Sequence, residues 1–134
     1  MEILENCLTA EEFIRLFCAA GWEAPPEDQV RVALENSLAT FSVRLEGRTV
    51  AMARLLGDRG MTYYIKDLAV DPACQGRGVG KALVDYLTRY VREQCQPGWY
   101  VSLELSSAPG KEHFYEKRGF RMDGSGMLRM IGRD

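Results

Sequence analysis

The spacing of apolar residues predicts two helices in the first third of the chain. Thr9 and Glu12 form the T-x-x-E pattern of a capping box, which opens a helix by satisfying its first free N–H groups. Apolar positions then recur at helical intervals as far as Gly21, where we expect the helix to end. A second pattern of helical period begins near Glu27, after a Pro-Pro pair.

Alternation of apolar and polar positions predicts three strands in the middle of the chain, at residues 41–45, 49–56 and 61–70. Glu46 and Gly47 suit a tight turn, so the first two strands form a hairpin. The third strand ends at Asp71-Pro72, because proline cannot donate to a sheet ladder.

The last part of the chain alternates between helical and strand patterns. Apolar offsets of three and four from Val79 to Cys95 predict a long amphipathic helix. A strand at 99–105, a short helix at 108–118 and a last strand at 127–131 follow. This order of elements, without a repeat or a linker, indicates one α/β domain over residues 1–134.

Composition and charge narrow the class of protein. The length of 134 residues suits one domain with its own core, and the net charge of -2 argues against a general nucleic-acid binder. Four cysteines without a C-x-x-C pair, together with one histidine, make a structural metal site unexpected. Neither a signal peptide nor a run long enough to cross a membrane is evident. We therefore expect a cytoplasmic protein with no metal, no nucleic-acid partner and no membrane partner.

The stretch QGRGVGK, at 75–81, connects the third strand to the long helix. The first turn of a helix carries unpaired N–H groups and the positive end of the helix dipole, so anions and especially phosphates bind there. Glycines let the backbone approach such a ligand, and Arg77 and Lys81 add positive charge. The stretch therefore predicts a pyrophosphate site, with a plain tight connection as the alternative.

Two familiar nucleotide motifs do not fit this stretch. A Walker A loop would need a glycine at Gln75 and a hydroxyl at Ala82. The dinucleotide fingerprint G-x-G-x-x-G would need its third glycine at Lys81. An unrelated phosphate-binding domain remains open at this point.

The pattern that fits is Q-x-x-G-x-G preceded by LAVDP, with FYEKRGF at 114–120 as a second landmark. From about residue 41 onward the chain resembles the GNAT superfamily of N-acetyltransferases. The resemblance implies a mixed, mostly antiparallel sheet flanked by helices and splayed between the strands 61–70 and 99–106. It also implies acetyl-CoA as the acetyl donor, no metal, and direct transfer to a primary amine through a ternary complex.

The resemblance assigns the glycine stretch to the pyrophosphate of acetyl-CoA and the end of the third strand to its pantetheine arm and thioester. The residues expected to contact acetyl-CoA are Leu68, Ala69, Val70, Gln75, Gly76, Arg77, Gly78, Val79, Gly80, Lys81, Lys111 and Phe114. Lys111 stands where relatives often carry an asparagine.

Acyl transfer from a thioester to an amine needs a base for the amine and an acid for the departing thiolate. The resemblance makes Tyr115 the acid, and Asp67 the base or an acceptor contact. Lys66 occupies a position that is often acidic in amino-sugar acetyltransferases, so a water chain is an alternative base.

The acceptor site is the least transferable part of the family. Glu104 and Ser106 share one face of their strand by parity, and they are candidates for it together with Trp22. We expect a small-molecule amine as acceptor, and a homodimer paired through the last strand is possible. The rival function is a non-catalytic module that binds or senses acyl-CoA.

Overall fold

The computed structural model of the protein describes residues 1–124 and 126–133. Its elements are β1 (Glu2–Glu5), α1 (Ala10–Ala19), α2 (Glu27–Asn36), β2 (Ala39–Leu45), β3 (Arg48–Gly57), β4 (Thr62–Val70), a 3₁₀ turn (Pro72–Cys74), α3 (Val79–Gln94), β5 (Ser102–Glu104) and α4 (Glu112–Glu116). The strands form one sheet in the order β1-β2-β3-β4-β5. Each pairing is antiparallel except the parallel one between β4 and β5. The predicted α/β class, with a mixed and mostly antiparallel sheet, is confirmed.

The sheet carries a separate apolar layer on each face. One layer packs α3 against β2, β3 and β4, and its fully buried members include Phe41, Leu55, Tyr63, Leu83 and Leu87. The other packs α1 and α2 against β3 and β4, and its members include Phe13, Leu16, Val30, Met52 and Ala69. Successive side chains of a strand point to opposite faces, which is why the central strands supply both layers.

Strand β1 was not predicted from the sequence. The stretch EILE places two apolar residues side by side rather than in alternation, and it forms an edge strand that pairs only with β2. Glu5 at its end accepts a hydrogen bond from the hydroxyl of Tyr86 on α3. A short edge strand of this kind is fixed by its partners more than by its own pattern.

The C-terminal predictions need correction. β5 covers three residues rather than 99–105, and α4 covers five residues rather than 108–118. The predicted strand at 127–131 is wrong, because these residues are described and belong to no strand. Their large side chains are mostly exposed, at 98% for Met127, 85% for Leu128, 82% for Met130 and 83% for Ile131. A strand requires a partner as well as an apolar pattern. That two copies of the protein pair through this segment stays a prediction.

Strand β4 is paired unequally on its two edges. β3 pairs with it from Tyr63 to Val70, whereas β5 pairs only with the three residues from Thr62 to Tyr64. Beyond Tyr64, β5 has ended and β4 continues without a partner on that side, as the predicted splay requires. Within the described part of the chain, the stretch 65–70 has no strand partner on its β5 side.

Polar side chains fasten α1 to the start of β3. The predicted capping box is present: Glu12 N–H donates to the Thr9 hydroxyl at 3.1 Å, and Thr9 N–H donates to the Glu12 carboxylate at 3.0 Å. The same carboxylate accepts from the hydroxyl of Thr49, and Arg15 donates to the Thr49 carbonyl at 2.6 Å. Burial alone would raise the pKa of Glu12, but the hydrogen bonds from Thr49 and Thr9 outweigh it and hold the pKa below its ordinary value.

We expect Glu12→Gln to lower the free energy of unfolding by about 1 kcal/mol at neutral pH, since it weakens the cap and the bond to Thr49. A carboxyl whose pKa is depressed by folding stabilises the protein above its ordinary value of 4.5, and this contribution disappears as the pH falls through the folded value. The difference between the two proteins should therefore shrink towards about pH 3. Urea unfolding at several pH values measures it, and Glu11→Gln, in the same helical turn, is the control. An equal loss at all pH values would contradict the assignment.

Candidate active site

Two glycines of the stretch 75–81 adopt a backbone conformation that other residues rarely take. Gly76 and Gly78 have φ of +80° and +79°, and a Cβ added to either would meet nothing within 4 Å. Conformation rather than space therefore explains these two glycines. Gly78 is the N-cap of α3, and it has no side chain with which to cap the helix.

The N-terminus of α3 is consequently open. Ala82 N–H donates to the Gly78 carbonyl at 3.0 Å, but Val79, Gly80 and Lys81 find no acceptor for their N–H groups in residues 1–124 and 126–133. In α1, by contrast, a side chain caps the N–H of the third residue, Glu12. Unpaired N–H groups at the positive end of a sixteen-residue helix form a site that suits a phosphate.

The two cationic side chains of this stretch differ in whether a carboxylate lies beside them. Arg77 is exposed, and its guanidinium contacts no acceptor or carboxylate among the residues that the structure describes. Lys81 Nζ lies 3.1 Å from Asp85 on the next turn of α3. Gln75 turns back towards the sheet, where its Nε2 donates to the carbonyl of Val70 at 3.4 Å. The stretch thus offers one uncommitted positive charge and one tie to β4.

Asp71 anchors the entry to the glycine stretch. Its N–H donates to the Val50 carbonyl at 2.7 Å, and its carboxylate accepts from Ala73 N–H at 3.0 Å. Arg15 and Arg48 approach the same carboxylate at 3.7 and 3.5 Å. The end of β4 is therefore held to both α1 and β3, and the stretch that follows starts from a fixed point.

The third glycine lies where three segments of the chain meet. Gly80 has an ordinary helical φ, and a Cβ built on it would lie 3.4 Å from Cζ of Phe114 and 3.6 Å from Cγ2 of Val70. The structure thus brings together the start of α3, the end of β4 and α4. These are the three segments that the sequence assigned to acetyl-CoA.

The turn after α4 explains the spacing within FYEKRGF. Gly119 has a φ of +96°, and the N–H of Phe120 returns to the Tyr115 carbonyl at 3.1 Å. This is the 6→1 bond of a Schellman turn, and the Tyr115 and Phe120 rings pack edge to face at 5.9 Å as its apolar contact. The Phe114 ring lies on the other side of Tyr115, at 5.1 Å. Backbone and ring of Tyr115 are both fixed by this turn.

Tyr115 is half-buried, and burial raises the pKa of its phenol. The phenol is therefore protonated throughout the neutral range. Its hydroxyl makes no hydrogen bond with any residue that the structure describes. A fixed, protonated hydroxyl of this kind is able to donate to a ligand.

Asp67 is engaged in an ion pair. Its carboxylate accepts from Nε of Arg54 at 2.8 Å, and the two side chains are only 12% and 15% exposed. Asp67 also has a φ of +56°, which is unusual for a residue other than glycine. The carboxylate that the sequence proposed as a base is thus directed at β3.

The three predicted acceptor residues make their contacts outside this cluster, whereas Lys111 stands at the start of α4. Ser106 shares a hydrogen bond of 2.6 Å with the hydroxyl of Tyr64, and Glu104 accepts from Ser102 at 2.8 Å. Trp22 is 39% exposed and packs on Phe17 beside α1. No contact among the described residues joins Trp22 to either of the other two. Lys111 is exposed at the N-cap of α4, where its carbonyl accepts from Tyr115 N–H at 3.3 Å.

A concavity, a cluster of metal ligands or a membrane-spanning helix would each have indicated another kind of site. A concavity of about 550 Å³ at the ends of α2 and β3 is lined by Ser37, Gly57 and Arg59, at the opposite end of the sheet from the glycine stretch. Across residues 1–124 and 126–133 no group of His, Cys, Asp and Glu is placed to hold a metal ion. No helix in that part of the chain has the length and apolarity needed to cross a membrane.

Sequence reasoning missed the partners of Asp67. Arg54 is a charge within the buried stretch AMARLL, and its Nη1 donates to the hydroxyl of Ser37 at 3.3 Å. A charge inside an apolar strand signals a partner, because buried charges are costly unless they are paired. The identity of that partner depends on register, which the sequence does not give.

The model of the acetyltransferase (GNAT) domain matches residues 29–122. The chain belongs to the GNAT family. The GNAT match includes β4, the glycine stretch, α3 and α4, which are the segments that converge at Gly80.

Individual relatives agree with the GNAT assignment. An uncharacterized ycf52-like N-acetyltransferase of Prochlorococcus marinus is 30% identical over 119 residues, 86% of this chain and 64% of the relative. Serotonin N-acetyltransferase 2, chloroplastic, of Oryza sativa is 34% identical over 113 residues, 81% of this chain and 54% of the relative. The chain therefore spans between half and two thirds of the length of these two proteins. A protein from methicillin-resistant Staphylococcus aureus, described as a probable acetyltransferase, superposes with a TM-score of 0.84 at 26% identity, covering 97% of this chain and 98% of that one.

The glycines should respond differently to alanine. We expect Gly78→Ala to cost about 1–2 kcal/mol in the free energy of unfolding, because alanine is strained at positive φ. Gly80→Ala should be close to neutral, since its backbone is helical and the added Cβ meets atoms at 3.4 Å or more. Denaturant unfolding of the two variants measures the difference. Equal stabilities would contradict the conformational reading of Gly78.

Proposed function

We propose that the protein is an acetyl-CoA-dependent N-acetyltransferase that acetylates a primary amine of a small molecule by direct transfer in a ternary complex. The observation that carries this proposal is the convergence at Gly80 of three features. These are the open N-terminus of α3, Val70 at the end of the unpaired edge of β4, and Phe114 of α4, whose ring packs against the ring of Tyr115. Membership of the GNAT family supports it.

The residues of the site fit acetyl-CoA. The N–H groups of residues 76–81 would donate to pyrophosphate oxygens, and Arg77 would add a positive charge. The unpaired edge of β4, at 65–70, offers backbone donors and acceptors of the kind that an extended chain with amides can pair with. An N–H in Leu68–Val70 would polarise the thioester carbonyl.

Acetyl transfer requires the amine to lose a proton before it attacks. An alkyl amine has a pKa near 10.4 in water and is mostly protonated at neutral pH. The neutral nitrogen forms the new C–N bond, the C–S bond breaks, and the amine's protons pass to water and to the leaving sulfur. The products are an N-acetyl amide, the free thiol of coenzyme A and one proton.

Tyr115 would donate its proton, or a hydrogen bond, to the sulfur as the C–S bond breaks. Its phenol holds a proton at neutral pH because burial raises its pKa. The Schellman turn after α4 fixes its position without using the hydroxyl. A water chain is the proposed route for the amine's proton, since the Asp67 carboxylate is bound to Arg54.

A small amine is proposed as the acceptor, and the exposed acceptor candidates include a carboxylate that suits it. Glu104 and Ser106 are exposed on the face of the sheet that also carries Tyr64, and a carboxylate there would attract an ammonium group. The name of the rice relative adds arylalkylamines to the amines worth testing.

A second candidate function is a non-catalytic module that binds or senses acyl-CoA. It is favoured by one observation, namely that the carboxylate at the predicted base position is occupied by Arg54. Such a module would bind acetyl-CoA without turning it over.

The proposal is tested with the purified protein, acetyl-CoA and a panel of amines, with release of the thiol as the readout. The panel contains polyamines, aminoglycosides, amino sugars, arylalkylamines and lysine peptides. We expect turnover with at least one small amine and little with the peptides. Calorimetry with acetyl-CoA and with ATP accompanies it. Binding of acetyl-CoA without turnover would favour the sensing module, and tighter binding of ATP would sink both proposals.

Tyr115→Phe should lower kcat by roughly a hundredfold or more, because it removes the proton donor while keeping the ring. The Michaelis constant for acetyl-CoA should change little. Steady-state kinetics with the best amine of the panel measures both. Tyr100→Phe is the control, since Tyr100 is 94% exposed. Unchanged kcat in Tyr115→Phe would remove Tyr115 from the mechanism.

A further inference from the structure

Strand β4 contains one residue more than its pairing with β3 requires. Met52 pairs with Ala69 and Arg54 pairs with Lys66, so that Ala53 of β3 faces two residues of β4. Those two residues are Asp67 and Leu68. This is a β-bulge, and it lies in the part of β4 whose other edge is unpaired.

The bulge exchanges the two faces of β4. Before it, Tyr63 and Ile65 point into the layer shared with α3. After it, Leu68 and Val70 pack against that layer, and Ala69 lies in the layer shared with α1 and α2. Odd-numbered residues thus face α3 before the bulge and the opposite helices after it. The N–H and C=O groups alternate between the strand's edges in the same way, so the bulge also decides which of them meet the open edge.

Asp67 is the residue that takes the strained conformation. Its φ of +56° is a left-handed value, which costs an L-residue on the order of 1–2 kcal/mol, with Asp and Asn penalised least. Some other interaction must hold it there.

Arg54 supplies that interaction. Its Nε binds the Asp67 carboxylate at 2.8 Å, and its Nη1 reaches the hydroxyl of Ser37 at 3.3 Å. Ser37 is the C-cap of α2, where a positive charge is favoured by the helix dipole. The pair therefore connects the bulge to a second, rigid element. Both side chains are largely buried, so solvent screens this pair less than a surface pair.

We propose that the Arg54–Asp67 pair is a positioning device which locks the bulge of β4 and so sets the backbone of Leu68–Val70 against the acyl group. This rests on the proposed acetyltransferase function. It makes Asp67 a positioning residue rather than the general base. The amine's proton then leaves by another route, and the carboxylate acts through the backbone that it holds.

Two variants distinguish a positioning role of Asp67 from a role as the general base. Asp67→Asn keeps an acceptor for Arg54 and tolerates left-handed φ, but it cannot act as a base. We expect its kcat to stay within about threefold of wild type, with the acid limb of the pH–rate profile unchanged. Arg54→Met keeps the carboxylate and removes the lock. Its kcat should fall roughly tenfold or more, with a smaller change in the Michaelis constant for acetyl-CoA, and Arg54→Lys should recover part of the loss.

A measurement on the protein without ligand tests the lock independently of turnover. Hydrogen exchange at the amides of residues 66–70 should quicken at least about tenfold in Arg54→Met. Arg31→Met is the matched control, because Arg31 pairs with Glu27 on the exposed surface of α2. This control should leave both the exchange at 66–70 and the kcat unchanged.

The outcomes are distinct. A hundredfold loss of kcat in Asp67→Asn, with loss of the acid limb, would make Asp67 the base and overturn the proposal. Exchange in Arg54→Met that matches Arg31→Met would overturn it as well. If the wild-type protein acetylated no amine, the proposed function would fail, and exchange alone would still decide whether the pair locks the bulge.

Discussion

The unequal pairing of β4 governs the rest of the structure. A strand in the interior of a sheet normally pairs its backbone polar groups with two neighbours, and β4 does so only at Tyr63 and Tyr64. Beyond Tyr64 one edge is left with backbone donors and acceptors that no strand of the described residues pairs with. The opening is stable because β3, Asp71 and the Arg54–Asp67 pair hold the other side of the strand. In the proposed function, an extended ligand with amide groups would complete this edge in the same way as another strand.

The N-termini of α1 and α3 differ. The start of α1 supports the fold, and the start of α3 belongs to the candidate site. α1 begins with a side-chain cap that satisfies its own N–H groups and joins it to β3. α3 begins with a glycine that caps nothing, and its first turn keeps its N–H groups available. The same physical requirement, a partner for a free N–H, is met within the protein at Glu12 of α1. In α3 it is left for a ligand to meet.

The sequence predicted those elements well whose formation depends on neighbouring residues in the chain. The capping box of Thr9 and Glu12, the period of α3 and the glycines before it are all local, and the structure has each of them. The bulge at Asp67 has no local signal, because it depends on how many residues of β3 and β4 lie between two pairs. For the same reason Asp67 was assigned to the chemistry while its partner Arg54 was overlooked. The prediction of a strand at 127–131 was wrong for the opposite reason. The local apolar pattern is present there, but these residues pair with no strand.

The exchange of faces within β4 has a consequence for how this chain tolerates change in evolution. Substitutions in residues 65–70 alter one side chain at a time and leave the other positions where they are. If all the residues of β4 alternated without the bulge, Leu68 and Val70 would turn towards α1 while Ala69 turned towards α3, so the one extra residue is what keeps each side chain on its present face. In this strand the number of residues matters as much as their identity. Homologous chains that keep this site should vary in composition here long before they vary in length.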